Sequence, residues 1–220
     1  MNIAIDGPSG AGKSSLAKAI AKHLGIIYVD TGALYRTIGL YVKEHGVDPH
    51  DEGGVTALLP SIDLSLRFEN GAQRIYLCGE DVGDRIRTPE MSMYASAVSA
   101  IGSVRAFLLD TQRKVARDSS VVMDGRDIGT VILPNAECKI FLTASPEARA
   151  ERRTAELAEK GMKATYDEVL ADMVERDRND STRALAPAIP AEDAVFLDNS
   201  GMTPEQTLEA ALAIIENSKN

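Results

Sequence analysis

Two spacings of apolar residues alternate along this 220-residue chain, one of strand length and one of helical period. Asn2-Ile3-Ala4-Ile5-Asp6 is a short apolar run, the length of a buried strand. Leu16, Ala19, Ile20 and Leu24 then share one helical face, with Lys18, Lys22 and His23 mostly off it. Ile26 to Val29 predicts a second strand ending at Asp30. Asp30 or Thr31 would cap a helix running to about His45, with Leu34, Ile38 and Tyr41, joined by Tyr35 and Val42, as its apolar stripe. Val121-Val122-Met123, Lys139 to Leu142 and Ala194 to Leu197 predict three further strands. Ser145-Pro146 opens a helix ending near Gly161, a second runs from about Thr165 to Asp180, and Thr203-Pro204-Glu205 opens the last. Alternation of this kind predicts an α/β fold: a five-stranded, doubly wound parallel sheet with flanking helices.

The rhythm breaks between residues 46 and 102, where Pro49, Gly53, Gly54 and Pro60 punctuate the chain. Leu64, Leu66 and Phe68 alternate with Ser65 and Arg67, and Ile75 and Leu77 flank Tyr76. With Asn70-Gly71 between the two runs, this reads as an antiparallel hairpin. A helix follows from Thr88-Pro89-Glu90, and another from about Val104 to Arg117. The pattern predicts a core of about 1–45, 103–148 and 186–220, an inserted subdomain of about 46–102, and a short helical lid of about 149–185.

Composition narrows the function. Hydrophobic content of 44% and charged content of 26% fit a soluble globular protein, and no apolar run reaches the eighteen residues of a membrane span. A first strand beginning at residue 2 reads as a cytoplasmic chain with no targeting segment. Cys78 and Cys138 stand singly, and His23, His45 and His50 have no metal-ligand spacing. The net charge of −9 argues against a nucleic-acid surface, so cations for any anionic ligand must be gathered locally. No exposed apolar stripe stands out, and a monomer is expected.

The strongest chemical signal is Gly7-Pro8-Ser9-Gly10-Ala11-Gly12-Lys13-Ser14, which satisfies G-x-x-x-x-G-K-[ST] between a strand and a helix. Glycines let successive backbone N–H groups point into one anion-sized hollow, and the helix that follows adds its positive end. Lys13 would reach the β- and γ-phosphates of a nucleoside triphosphate, and the Ser14 hydroxyl would ligate Mg²⁺. Residues Gly7 to Ser15 are therefore the candidate ATP-binding segment.

Three other stretches carry clustered charge. Arg36 lies within two turns of its helix start, at a strand's carboxyl end, where ligands collect in open sheets. Asp124-Gly125-Arg126-Asp127 puts three charges in four residues at the mouth of a buried strand. Arg176, Asp180 and Arg183 share one face if the helix continues through them. Each stretch also has a plainer reading, as a solvated arginine, an internal Arg–Asp pair and a solvated helix face.

Taken together, I-D-G-P-S-G-A-G-K-S, D-T-G-A-L-Y-R, D-V-G-D-R-I-R-T-P-E, D-G-R-D-I-G-T-V-I-L-P and E-R-D with N-D-S-T-R-A-L-A-P resemble the nucleoside monophosphate kinases, most closely the bacterial cytidylate kinases. The resemblance spans essentially the whole chain, with Thr31 standing where many relatives have Ser. It implies transfer of the ATP γ-phosphate to CMP or dCMP with Mg²⁺, and an insertion that closes over the acceptor. It implies that Lys13, Asp124, Arg126 and Arg176 carry the chemistry, with Arg36, Arg126 and Arg176 on the acceptor phosphate. Thr31, Ser96, Arg105, Asp127 and Arg183 would surround the acceptor, the last four at the cytosine edge, and Asp180 would take the ribose. Lid arginines such as Arg152 or Arg153 would flank the transferring group. Kinases for shikimate, gluconate or another nucleotide share the first motif only. A GTPase would carry an [NT]-K-x-D guanine motif, which this sequence lacks. A motor would hydrolyse ATP without an acceptor, and intact Lys13, Ser14 and Asp124 argue against a non-catalytic nucleotide-binding module.

Overall fold

The computed structural model describes residues 1–69, 72–159 and 161–218. In chain order the described strands are β1 (Asn2–Asp6), β2 (Ile27–Asp30), β3 (Leu64–Glu69), β4 (Ala72–Leu77), β5 (Glu80–Asp81), β6 (Val121–Gly125), β7 (Cys138–Thr143) and β8 (Val195–Asp198). The helices are α1 (Lys13–Leu24), α2 (Thr31–Glu44), α3 (Glu52–Leu58), α4 (Pro89–Val98), α5 (Gly102–Asp118), α6 (Pro146–Glu159), α7 (Tyr166–Thr182) and α8 (Pro204–Asn217). The parallel sheet has the order β2-β6-β1-β7-β8, and β3-β4-β5 form a separate antiparallel sheet. The α/β fold and its inserted hairpin are as expected. The chain divides into two compact units, residues 1–26 with 122–220, and residues 27–121.

In the first unit, β1 pairs with β7 from Ile3↔Cys138 to Asp6↔Phe141, and β7 pairs with β8 from Ile140↔Val195 to Thr143↔Asp198. Ile3, Ala4 and Ile5 are buried in succession, as expected of a parallel strand covered on both faces. β8 is the edge, which leaves Val195 and Phe196 exposed. Two helices open on complete capping boxes, Thr165 with Glu168 and Thr203 with Gln206, each side chain bonding the other residue's backbone N–H. α7 stops at Thr182; Arg183 lies beyond it in extended backbone, with φ −62° and ψ 143°. The expected helical face through Arg176, Asp180 and Arg183 therefore ends at Asp180.

In the second unit, α2 lays Leu34, Ile38, Tyr41 and Val42 into a core shared with Met91, Ala95 and Val98 of α4 and Val104 and Leu108 of α5. The hairpin has the register Leu64↔Leu77 to Glu69↔Ala72, and along β3 half-buried and exposed residues alternate. Its expected turn, Asn70-Gly71, lies outside the described residues. Three features went unpredicted: α3, a 3₁₀ turn at Leu59–Ser61, and the two-residue strand β5. The turn into β5 is Cys78-Gly79, with φ of +50° and +84°, the left-handed pair a tight hairpin needs. Among the described residues no single helix is long and apolar enough to cross a membrane; α4 and α5 pass that test only together, bent by 103°.

Gly39 is where α2 meets α4. A Cβ built there would lie 2.7 Å from Tyr94 Cβ and 3.3 Å from its backbone carbon. Helix propensity alone favours Gly39→Ala by about 1 kcal/mol. Overpacking of this kind costs about 1–3 kcal/mol, so the variant is expected to be less stable than wild type by urea unfolding.

Candidate active site

The phosphate loop begins where β1 ends. Gly7 has φ +148°, and a Cβ there would lie 1.9 Å from the Leu142 carbonyl oxygen, so only glycine lets the loop sit against the β7 backbone. Gly12 takes the left-handed conformation at the start of α1, and no side chain caps that end. The first amides of α1 are thus left by the protein's side chains for an anion. Lys13 is 7% exposed and folds back to donate from Nζ to the Pro8 carbonyl at 2.6 Å. Burial, then the neighbouring Arg126, hold its ammonium below the usual lysine range, with Arg176 acting the same way and Asp124 opposing. The Ser14 hydroxyl donates to Asp124 Oδ2 at 2.7 Å. A hydroxyl and a carboxylate are the hard oxygen donors that suit Mg²⁺.

β6 delivers the acidic and basic cluster. Asp124 is buried at its end, and Arg126 Nε donates to Asp180 Oδ2 of α7 at 2.9 Å. Asp127 Oδ1 pairs with Arg183 Nη2 at 3.7 Å. These two cross-pairs set the loop after β6 against the end of α7, as the clustered charges required. Ile128–Ile132 then forms one π turn, closed by Leu133 N–H donating to the Ile128 carbonyl at 2.7 Å. Such turns are rare and frequent at functional sites, and the apolar run gave no sign of it. Asp6 anchors the turn by accepting from the backbone N–H of Ile128 at 2.8 Å and of Gly129 at 2.7 Å.

In the second unit, Asp30 caps α2 by accepting from Ala33 N–H at 2.9 Å, and its other oxygen takes Arg36 Nη2 at 2.8 Å. Gln73 of β4 holds the Asp30 backbone from both sides, accepting from its N–H at 2.9 Å and donating to its carbonyl at 3.2 Å. Arg36 Nε is buried with no hydrogen-bond partner among the described residues. Arg105 Nη1 donates to the Ser99 carbonyl at 3.2 Å, and Ser99 Oγ to the Ser96 carbonyl at 2.9 Å. The Arg105 guanidinium carbon lies 5.8 Å from the Tyr35 ring centre. Thr31 is buried at the start of α2. Arg105 is thus set beside Tyr35 of α2 and, through Ser99, beside the Ser96 backbone, while Thr31 and Arg36 lie in the first two turns of α2.

Several contacts had been missed. Asn199 Nδ2 donates to the Ala11 carbonyl of the phosphate loop at 3.1 Å. Arg152, expected to flank the transferring group, donates to Asn199 Oδ1, the Asn199 carbonyl and the Ser200 carbonyl, at 3.2, 2.6 and 3.2 Å. Arg153 pairs with Glu156 at 2.8 Å on the helix surface. The arginine of α6 that reaches the loop is Arg149, bonded to Ser9 and to Asp177. Its signal in the sequence was position: Arg149 stands beside Ala150, on the buried face that also holds Leu157.

A sequence model of the cytidylate kinase family matches residues 3–217. The chain belongs to the cytidylate kinase family. It is 48% identical over 214 residues to the cytidylate kinase of Caldicellulosiruptor bescii, a match covering 97% of this chain and 95% of that protein. The cytidylate kinase of Thermosipho melanesiensis is 46% identical over 214 residues, covering 97% and 96%. Among solved structures, an uncharacterized protein from Eubacterium ventriosum superposes with a TM-score of 0.57 at 13% identity, over 99% of this chain and 98% of that one. At that identity the last match shows the fold alone. The family makes this chain a kinase, a phosphotransferase of the P-loop class.

Asp6 gives the kinase a measurable pH signature. Burial outweighs its two backbone bonds and raises its carboxyl from 3.8 to about 6, with Asp127 adding to the rise and Lys13 opposing it. The native state then holds a proton that the unfolded chain releases, so this group's contribution to stability falls as pH rises through about 4 to 6. The stability advantage of wild type over Asp6→Asn should shrink across that window by up to about 3 kcal/mol, read by urea unfolding at each pH. A flat difference would show that Asp6 titrates like an exposed aspartate, and one that grows with pH would show that its backbone bonds outweigh its burial.

Proposed function

We propose that the protein transfers the γ-phosphoryl group of ATP to CMP or dCMP, yielding ADP and CDP or dCDP, as a cytoplasmic monomer. One observation supports this above the rest: Lys13, the Ser14–Asp124 pair and the cations Arg126 and Arg176 converge at the phosphate loop of a chain that the cytidylate kinase family model matches over residues 3–217. Phosphoryl transfer asks for in-line positioning and for neutralisation of charge spread over the phosphoryl oxygens. Guanidinium groups suit that task, since they grip phosphate oxygens through two parallel bonds and stay protonated.

Residues Gly7 to Ser15 bind ATP through backbone N–H groups, with Lys13 as the mobile charge. Ser14, backed by Asp124, holds Mg²⁺, which when bound offsets charge on the phosphate oxygens. Arg36, Arg126 and Arg176 take the acceptor phosphate; the buried Nε of Arg36 is an N–H donor suited to such an oxygen. Ser96, Arg105, Asp127 and Arg183 read the cytosine edge, Thr31 completes the acceptor's surroundings, and Asp180 takes the ribose. Cytosine offers an exocyclic amine to a carboxylate and ring acceptors to a guanidinium, a pattern uracil reverses in part. A polar pocket left half-paired by the wrong base is a strong discriminator. The acceptor is already an anion, so no strong general base is needed. Residues 46–102 form the acceptor-binding insertion and 149–185 a lid whose closure excludes water and suppresses hydrolysis.

The test is a panel of CMP, dCMP, UMP, AMP, GMP, dTMP and shikimate with Mg-ATP, following ADP and phosphorylated product. CDP and dCDP are expected to form fastest, with no turnover after chelation of Mg²⁺. Lys13→Ala should lower kcat by about 10³-fold and Arg126→Ala by about 10²-fold, in the range seen when a transition-state charge partner is removed. Turnover of another acceptor alone would discard the cytidylate assignment, and acceptor-independent hydrolysis alone would discard the kinase.

A further inference from the structure

Ser9 sits at the tip of the phosphate loop, and both of its backbone polar groups are taken by one ion pair. Its N–H donates to Asp177 Oδ1 at 2.9 Å, and its carbonyl accepts from Arg149 Nη1 at 2.8 Å. The ring closes through Arg149 Nη1 and Asp177 Oδ2 at 2.5 Å. Arg149 comes from α6 and Asp177 from α7, so the loop tip is stapled to two helices at once. Arg149 is 4% exposed, and Nε is fixed by the Ala144 carbonyl at 3.0 Å. A guanidinium this buried is held in one orientation by its acceptors. The next residue makes the same contact sterically: a Cβ at Gly10 would lie 2.3 Å from Met173 Cε of α7 and 3.5 Å from Arg149 Cβ.

We propose that Arg149 and Asp177 are positioning residues for ATP: by gripping Ser9 from both sides they hold the phosphate loop in its binding shape and make its tip move with α6 and α7. The proposal rests on the loop being the ATP site and adds residues to which neither the loop motif nor the acceptor cluster assigns a role. The pair acts through Ser9 and not on the nucleotide. Arg176 and Asp180, on the same helix, face other partners, with Asp180 bonded to Arg126. The grip should therefore govern the donor nucleotide and leave the acceptor nearly untouched. It also joins two events, since loosening α7 from α6 releases the tip of the phosphate loop.

The experiment measures KM for ATP and for CMP, kcat, melting temperature and direct Mg-ATP binding by calorimetry on the full chain. The variants are Asp177→Ala, Asp177→Asn, Arg149→Met and the Asp177→Ala/Arg149→Met double variant. Asp177→Ala and Arg149→Met should each raise KM and Kd for Mg-ATP at least about tenfold while KM for CMP moves less than about twofold. The double variant should be no worse than either single one, because both changes open the same ring. Asp177→Asn keeps the acceptor for Ser9 N–H and should recover part of the loss; it carries the test if the alanine variant fails to fold. Folded variants that bind Mg-ATP as wild type does, or that lose CMP affinity as much as ATP affinity, overturn the clamp. Wild type that binds no Mg-ATP overturns the kinase reading and the clamp with it. A clamp that fails while wild type still makes CDP leaves the proposed function standing.

Discussion

A carboxylate at the end of a buried strand organises the first unit. Asp6 is the last residue of β1, and the phosphate loop begins one residue later. Its two oxygens accept from Ile128 and Gly129 N–H, at the start of the π turn that follows Arg126 and Asp127. The side chain that fixes the π turn thus stands directly before the phosphate loop in the chain. The π turn pairs its later N–H groups with its own carbonyls, as Leu133 does with Ile128, but its first N–H groups have no carbonyl of the turn behind them. A buried acceptor with two oxygens satisfies both N–H groups of the turn without an additional element. Desolvation of that carboxylate is the counterpart of the arrangement and raises its proton affinity.

Much of this was legible because the responsible signals are local. The strand–glycine loop–helix sequence, the Thr88-Pro89, Ser145-Pro146 and Thr203-Pro204 helix starts and the alternation along Leu64 to Phe68 each depend on neighbours a few residues away. α3 escaped notice since Gly53 and Gly54 lie inside it; Asp51 rescues it by capping Gly54 N–H at 3.1 Å. β5 is too short to show a period. The cysteine at φ +50° in the turn before it occupies a position where sequence alone would look for Asn or Gly. Arg183 shares the face of Arg176 and Asp180 only if the helix runs through it, and α7 ends one residue short, at Thr182, where nothing in Ser181-Thr182-Arg183 marks a stop.

The roles of the arginines were the least legible part. Arg149, Arg152 and Arg153 lie within five residues on α6, and charge patterning alone treats them alike. The fold separates them by angle: Arg149 turns inward to the phosphate loop, Arg152 to Asn199 and Ser200, and Arg153 to its own helix surface. A five-residue stretch of one helix thereby supports the loop twice, once at Ser9 and once, through Asn199, at Ala11. Long-range contacts of this sort are fixed by helix rotation, a property that charge patterning does not encode.

Arg36, Arg126, Arg149 and Arg183 each already lean on an aspartate of the same unit. A chain of net charge −9 can keep such guanidinium groups buried only by neutralising them internally. An anion that meets one of them must compete with a resident counter-ion, so binding there is an exchange of one anion for another. A free inorganic phosphate replaces a carboxylate with little net gain. The pairing thus gives each of these guanidinium groups a resident counter-ion that any incoming anion has to displace.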